Sequence, residues 1–187
     1  MSAEYKIGLQ PVADNDAQGA AKDVFENAKT NLGFIPNMYR TMANSPGYLG
    51  TYANGYNAFR QGSGFTPQEQ ETVFLTLSRE NGCDYCTAAH SMIADKISKL
   101  GADELTAVRS GDALPDAKLN ALSAFTKHVH DERGLIGKSA AEAFIAAGYS
   151  ENQILEVILA LSVKILSNYS NHIFHTGVDE AFSSYKV

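Results

Sequence analysis

The chain has 187 residues, with 15 Lys and Arg against 21 Asp and Glu and a formal charge of −6. It is long enough for one sizeable core, and no Pro/Ser-rich linker or charge block divides it, so a single domain over residues 1–187 is expected. No basic run lines a phosphate groove and no stretch of about 18 apolar residues occurs, so neither nucleic acid nor a membrane is an expected partner.

Met1-Ser2-Ala3-Glu4 lacks the basic-then-apolar pattern of a signal peptide, which predicts a cytoplasmic protein. The two cysteines, Cys83 and Cys86, are too few for a secreted disulfide framework. Paired closely in a reducing compartment, they point to transient redox use or metal binding, with two inert buried thiols as the plain alternative.

In chain order, Ala20, Val24, Ala28 and Leu32 recur every fourth residue among charged neighbours, predicting a first helix over about 14–32, ended by Gly33. Pro36 restarts the chain, and Met38, Tyr39 and Met42 predict a short second helix to about Asn44. Pro46 opens a third with the aromatic stripe Tyr48, Tyr52, Tyr56 and Phe59, read first as core packing and second as the lining of a pocket. Thr66-Pro67-Gln68-Glu69 is a capping box opening an apolar fourth helix, which carries Glu71 and ends at the breaker Asn81-Gly82. Glu69 is assigned to the cap and Glu80 to a solvated helix end.

A fifth helix is predicted from about Cys83 to Leu100, then shorter ones over about 103–109 and 117–132. His128 and His130 fall near the end of the latter and read as surface positions. Ser139 to Glu142 and Ser150 to Gln153 are two more capping boxes, opening an eighth helix and a long ninth. Ile154, Leu155, Val157, Ile158, Leu159 and their successors make the ninth apolar almost all round, hence central and buried. Strict alternation fails throughout, so the fold is predicted to be all-α. A shift of 84 residues lays Thr66 on Ser150, Val73 on Val157 and Tyr85 on Tyr169, a faint two-fold helical repeat in which Ser170 stands where Cys86 does.

The stretch Glu80-Asn81-Gly82-Cys83-Asp84-Tyr85-Cys86-Thr87-Ala88-Ala89-His90 concentrates the chemistry. On a helix, steps of three and four residues put Cys83, Cys86 and His90 on one face about one turn apart. A partly exposed thiol at a helix start with an imidazole in reach is lowered in pKa, and the thiolate is the nucleophile. Position alone favours Cys83 as the more acidic thiol, since it lies nearer the helix N-terminus.

Glu71, eleven residues, then Cys83-x-x-Cys86-x-x-x-His90 resembles the alkyl hydroperoxidase D-like (AhpD-like) branch of the carboxymuconolactone decarboxylase family. Phe34-Ile35-Pro36-Asn37 and the stretch from Asn168 to His172 resemble its peroxidase-related subgroup, so the likeness spans about residues 20–175. The resemblance implies an all-α, AhpD-like helical bundle, a homo-oligomer such as a trimer or hexamer, and no cofactor. It implies a thiol-dependent peroxidase that reduces an alkyl hydroperoxide and is recycled by a dithiol donor such as a lipoyl-bearing protein. Cys86 would then be the peroxidatic thiol, Cys83 the resolving thiol, His90 the base beside Cys86, and Glu71 the second member of a proton relay. Tyr85 departs from the pattern, in which a further histidine lies between the cysteines.

Four other readings stay open. The dithiol could serve other oxidoreductions, or a non-enzymatic redox-responsive protein. Cys83, Cys86 and His90 could bind zinc with His172 as fourth ligand. The wider family also decarboxylates small lactones, a chemistry that does not depend on C-x-x-C. His172 and His175 could approach the site if the repeat brings its helices together, or serve in packing.

Overall fold

The computed structural model describes residues 3–187, which are helical with no strand among the described residues, as the caps and periodicity predicted. The helices are α1 (Ala20–Leu32), α2 (Asn37–Met42), α3 (Pro46–Gly62), α4 (Pro67–Glu80), α5 (Asp84–Ile93), α6 (Ala102–Ser110), α7 (Ala117–Asp131), α8 (Lys138–Ala146) and α9 (Glu151–Phe174). A π-helical turn (Ala94–Ser98) follows α5, and a 3-10 segment (Glu180–Tyr185) follows α9.

The centre of the bundle is α4, not α9. Every residue from Glu69 to Ser78 is buried, and α5, α6, α7 and α9 all pack on this helix. The Thr66 capping box is formed: the Glu69 N–H donates to Thr66 Oγ1 and the Thr66 N–H to Glu69 Oε2, with Pro67 in the first turn. At the other end Gly82 adopts φ +64°, a conformation that suits glycine, and turns the chain into α5. Cys83 becomes the N-cap residue of α5, with its own N–H returned to the Ser78 carbonyl at 2.9 Å.

Several boundaries differ from the sequence expectation. The first helix begins at Ala20 because Gly19 takes a positive φ, while upstream Asp14 is tied to Arg40 and Lys29. The fifth stops at Ile93 and widens into the π-turn, with Lys99 left-handed and Leu100 N–H reaching back to Ala94. The box at Ser139 does not form: α8 starts at Lys138 after Gly137, with no side-chain cap. That at Ser150 does form, so α4 and α9, the two long members of the repeat, carry the same N-terminal device. They diverge where α4 breaks at Asn81-Gly82 and α9 runs on to Phe174.

The aromatic stripe of α3 is largely core. Tyr52 and Phe59 are buried, and Tyr56 is stacked on Phe74 with 5.5 Å between centroids. Glu80 is not a freely solvated end, since it pairs with Arg79 and with Lys127. No described helix is long and apolar enough to cross a membrane.

Candidate functional site

Packing of α3, α4, α5 and α9 brings the four motif residues into one buried cluster. Cys83 and Cys86 are both reduced and lie 3.4 Å apart. They are 1% and 2% exposed, so the partial exposure expected of this thiol pair is not observed. Met38 of α2 and Asn171 of α9 pack here, and the Asn171 amide donates to Met38 Sδ and Cys86 Sγ, each at 3.3 Å.

Glu71 and His90 face each other from neighbouring helices. Fully buried Glu71 Oε2 lies 2.8 Å from His90 Nδ1, and its Oε1 is 2.5 Å from Arg60 Nη1 in an ion pair without aligned hydrogen-bond geometry. Burial opposes ionisation of Glu71, yet His90 and Arg60 together hold its carboxyl below the usual value. Burial and the Lys164 charge push His90 down to about 4, so near neutrality it is an uncharged ring donating Nδ1–H to Glu71. Neither ring nitrogen hydrogen-bonds a cysteine sulfur. Arg60 also donates to Tyr56 Oη at 2.8 Å and lies over the Tyr56 and Phe74 rings.

The two thiols are electrically unequal. Burial works against a charge on Cys86, but the Cys83 S–H, the Lys164 ammonium, Ser167 and Asn168 outweigh it and bring the thiol down to about 5. Cys83 is pushed well above the ordinary range because it gives its hydrogen to Cys86, is buried, and faces that sulfur's charge. The helix-start argument for Cys83 is thus overruled by the groups that converge on the second sulfur.

Those groups come from α9. Lys164, Ser167, Asn168 and Asn171 are all buried and fall on one face at steps of three, four and seven residues. Only Asn168 and its neighbours toward His172 carried any sequence signal. Lys164 was visible as the single basic residue between Ile154 and Leu166, but nothing in its spacing tied it to the motif. Arg60, placed by the fold rather than by a pattern, was missed likewise.

His130, read as a surface residue, instead bonds Asn81 Oδ1 at 3.1 Å, and Asn81 donates to Asn168 Oδ1 at 2.8 Å. His172 stacks on Tyr169, while His175 caps α9 and meets the Ala3 carbonyl. Among the described residues no cluster of three or more His, Cys, Asp or Glu could hold a metal ion, so the zinc arrangement with His172 is not assembled.

No protein-family model and no curated protein sequence matches the chain. Solved structures do. An uncharacterized peroxidase-related protein with an alkylhydroperoxidase AhpD core, from Ralstonia eutropha JMP134, superposes with TM-score 0.77 at 20% identity, covering 93% of this chain and 96% of that one. A peroxidase-related protein from Silicibacter sp. TM1040 gives 0.75 at 18%, covering 97% and 95%. The debrominase Bmp8, solved with 2,3,4-tribromopyrrole, gives 0.79 at 17%, covering 96% of each chain. The chain therefore has the AhpD-like helical fold, as its motif led one to expect.

Proposed function

We propose that this protein is an AhpD-like, thiol-dependent oxidoreductase that reduces alkyl hydroperoxides with the Cys83–Cys86 pair. The observation that carries the reading is the placing of two free thiols 3.4 Å apart with the Asn171 amide on Cys86, among groups that lower Cys86 and raise Cys83. A thiolate at Cys86 attacks the O–O bond of the hydroperoxide, giving Cys86 sulfenic acid and an alkoxide. The alkoxide is protonated through His90, whose Nε2 takes a proton from solvent water and passes it on while Glu71 steadies the transient imidazolium at Nδ1. Cys83 then attacks the sulfenic acid, forming the disulfide and releasing water. An external dithiol, such as a lipoyl-bearing protein, returns two electrons by exchange.

Fold neighbours described as peroxidase-related support this direction, and the debrominase neighbour supports a second reading. There the same thiolate would act on an organohalide rather than a peroxide. The assay that separates them follows consumption of alkyl hydroperoxide and of bromopyrrole with dithiothreitol, then with a lipoyl donor. Peroxide turnover lost in both Cys83→Ser and Cys86→Ser is expected. After peroxide, sulfenic acid should persist at Cys86 in Cys83→Ser; its appearance at Cys83 in Cys86→Ser instead would reverse the roles. Absence of turnover with reversible disulfide formation intact would leave a redox sensor. A cytoplasmic homo-oligomer, trimer or hexamer, is part of the same proposal.

A further inference from the structure

We propose that Lys164, not His90, is the positioning residue that makes Cys86 a thiolate, and that its ammonium sets the reduction potential of the Cys83–Cys86 pair. The inference deepens the reading above and rests on Cys86 being the reacting thiol.

The argument begins with buried charge. Lys164 is 1% exposed, on the side of α9 that faces α4 and α5, with Nζ 5.5 Å from the centroid of the Phe74 ring. His90 lies against the same ring at 4.8 Å, which places the lysine within the motif cluster. An ammonium removed from water must meet an anion or be strongly disfavoured. Lys164 makes no ion pair with a carboxylate among the described residues, whereas the nearby carboxylate, Glu71, is already engaged by Arg60 and His90.

The other titratable groups facing the cluster leave one candidate. The Tyr52 and Tyr56 phenols of α3 are raised by burial and stay neutral, and Arg60 is a second cation. From α5, His90 is uncharged near neutrality and Cys83 keeps its hydrogen. On the α7 side, His130 reaches α9 only through Asn81 and Asn168. The Asp179 carboxylate beside Tyr85 is engaged by the Tyr85 hydroxyl and the Asn37 N–H, which leaves Cys86 of α5, whose sulfur is met by Asn171, itself two turns along α9 from Lys164. Arg60 balances Glu71, and Lys164 balances the Cys86 thiolate. His90 is thereby free for proton transfer, since it does not have to hold a charge to keep the thiolate ionised.

Oxidation upsets this balance. When the two sulfurs join, with loss of two electrons and the remaining Cys83 proton, the thiolate charge disappears and Lys164 is left without its counter-ion. The reduced state is favoured, so the disulfide is a stronger oxidant than an ordinary one and is more readily reopened by a dithiol.

The test uses the full chain and needs no peroxide, so its failure is distinct from failure of the peroxidase reading. Thiolate ultraviolet absorbance is followed against pH in the reduced protein, and the dithiol/disulfide ratio is measured in dithiothreitol redox buffers. The native midpoint should lie near 5. Lys164→Met should raise it by one unit or more and favour the disulfide by about tenfold, roughly 30 mV toward the reducing side. Lys164→Arg should keep the low midpoint, and His90→Gln should leave it within a few tenths. A folded Lys164→Met protein with an unshifted midpoint, or a His90→Gln protein that shifts as far as Lys164→Met should, overturns the inference. If Lys164→Met does not fold, a native midpoint at the ordinary thiol value overturns it without any variant.

Discussion

Tyr85 lies between the cysteines in sequence and turns away from them in space. Its hydroxyl donates to Asp179 Oδ2 at 2.5 Å, and the same carboxylate accepts the Asn37 N–H at 3.1 and 3.2 Å, closing the first turn of α2. The ring meets Phe182 edge-on in the C-terminal 3-10 segment. Tyr85 therefore ties α5, α2 and the C-terminal segment together, and the Glu71–His90 contact assembles without a histidine at this position. Tyr85→Phe keeps the ring and leaves a buried carboxylate oxygen short of a donor, which should cost about 1–3 kcal/mol in urea denaturation. An unchanged transition would mean that the hydroxyl bond contributes nothing to the fold. Sequence pattern showed this residue as a departure; its partner, ninety-four positions away, belongs to no local motif.

At the scale of the element, α9 shows what hydrophobicity can and cannot say. Its composition reads as a central helix, yet the polar residues Lys164, Ser167, Asn168 and Asn171 point inward while Leu155, Ile158, Ile165, Tyr169 and Ile173 lie open to solvent. Periodicity distinguishes faces but does not state which one meets the core, and the burial of this polar stripe inverts the usual order. By contrast the Thr66 and Ser150 caps were legible because each is satisfied within four residues. The Glu71–His90 pairing was legible only through the motif resemblance. Arg60 and Lys164 depend on helices meeting far along the chain, so no window of sequence contains the reason for them.

The open seam of α9 gives the proposed oligomer a surface. Size-exclusion chromatography with light scattering should show a multiple of the chain mass, and Ile158→Glu combined with Ile165→Glu should shift it to the monomer. A native monomer at micromolar concentration would remove the seam from consideration.

For the molecule as a whole, the cluster predicts how stability depends on pH. His90 falls from 6.5 to about 4 on folding, so between those values the unfolded chain binds the extra proton and the native state resists it. Stability is therefore lost as pH drops through that window, by on the order of 3 kcal/mol in total. Glu71, also lowered, adds to the same slope at its acid end. Thermal melts from pH 7 to 4 should show the decline, and His90→Gln should flatten it. Equal slopes in the two proteins would locate the acid sensitivity elsewhere.

The bond from Tyr85 to Asp179 also bears on time. Both sulfurs lie beneath packed α2, α5 and α9, and exchange with an outside dithiol requires the two reacting atoms to come within bonding distance. In the proposed cycle, recycling waits for a transient opening of that packing, which the bonds that join α5 to α2 through Asp179 oppose. Reduction of a Cys83–Cys86 disulfide should then cease to follow donor concentration once donor is plentiful, with the opening rate of the bundle as its ceiling.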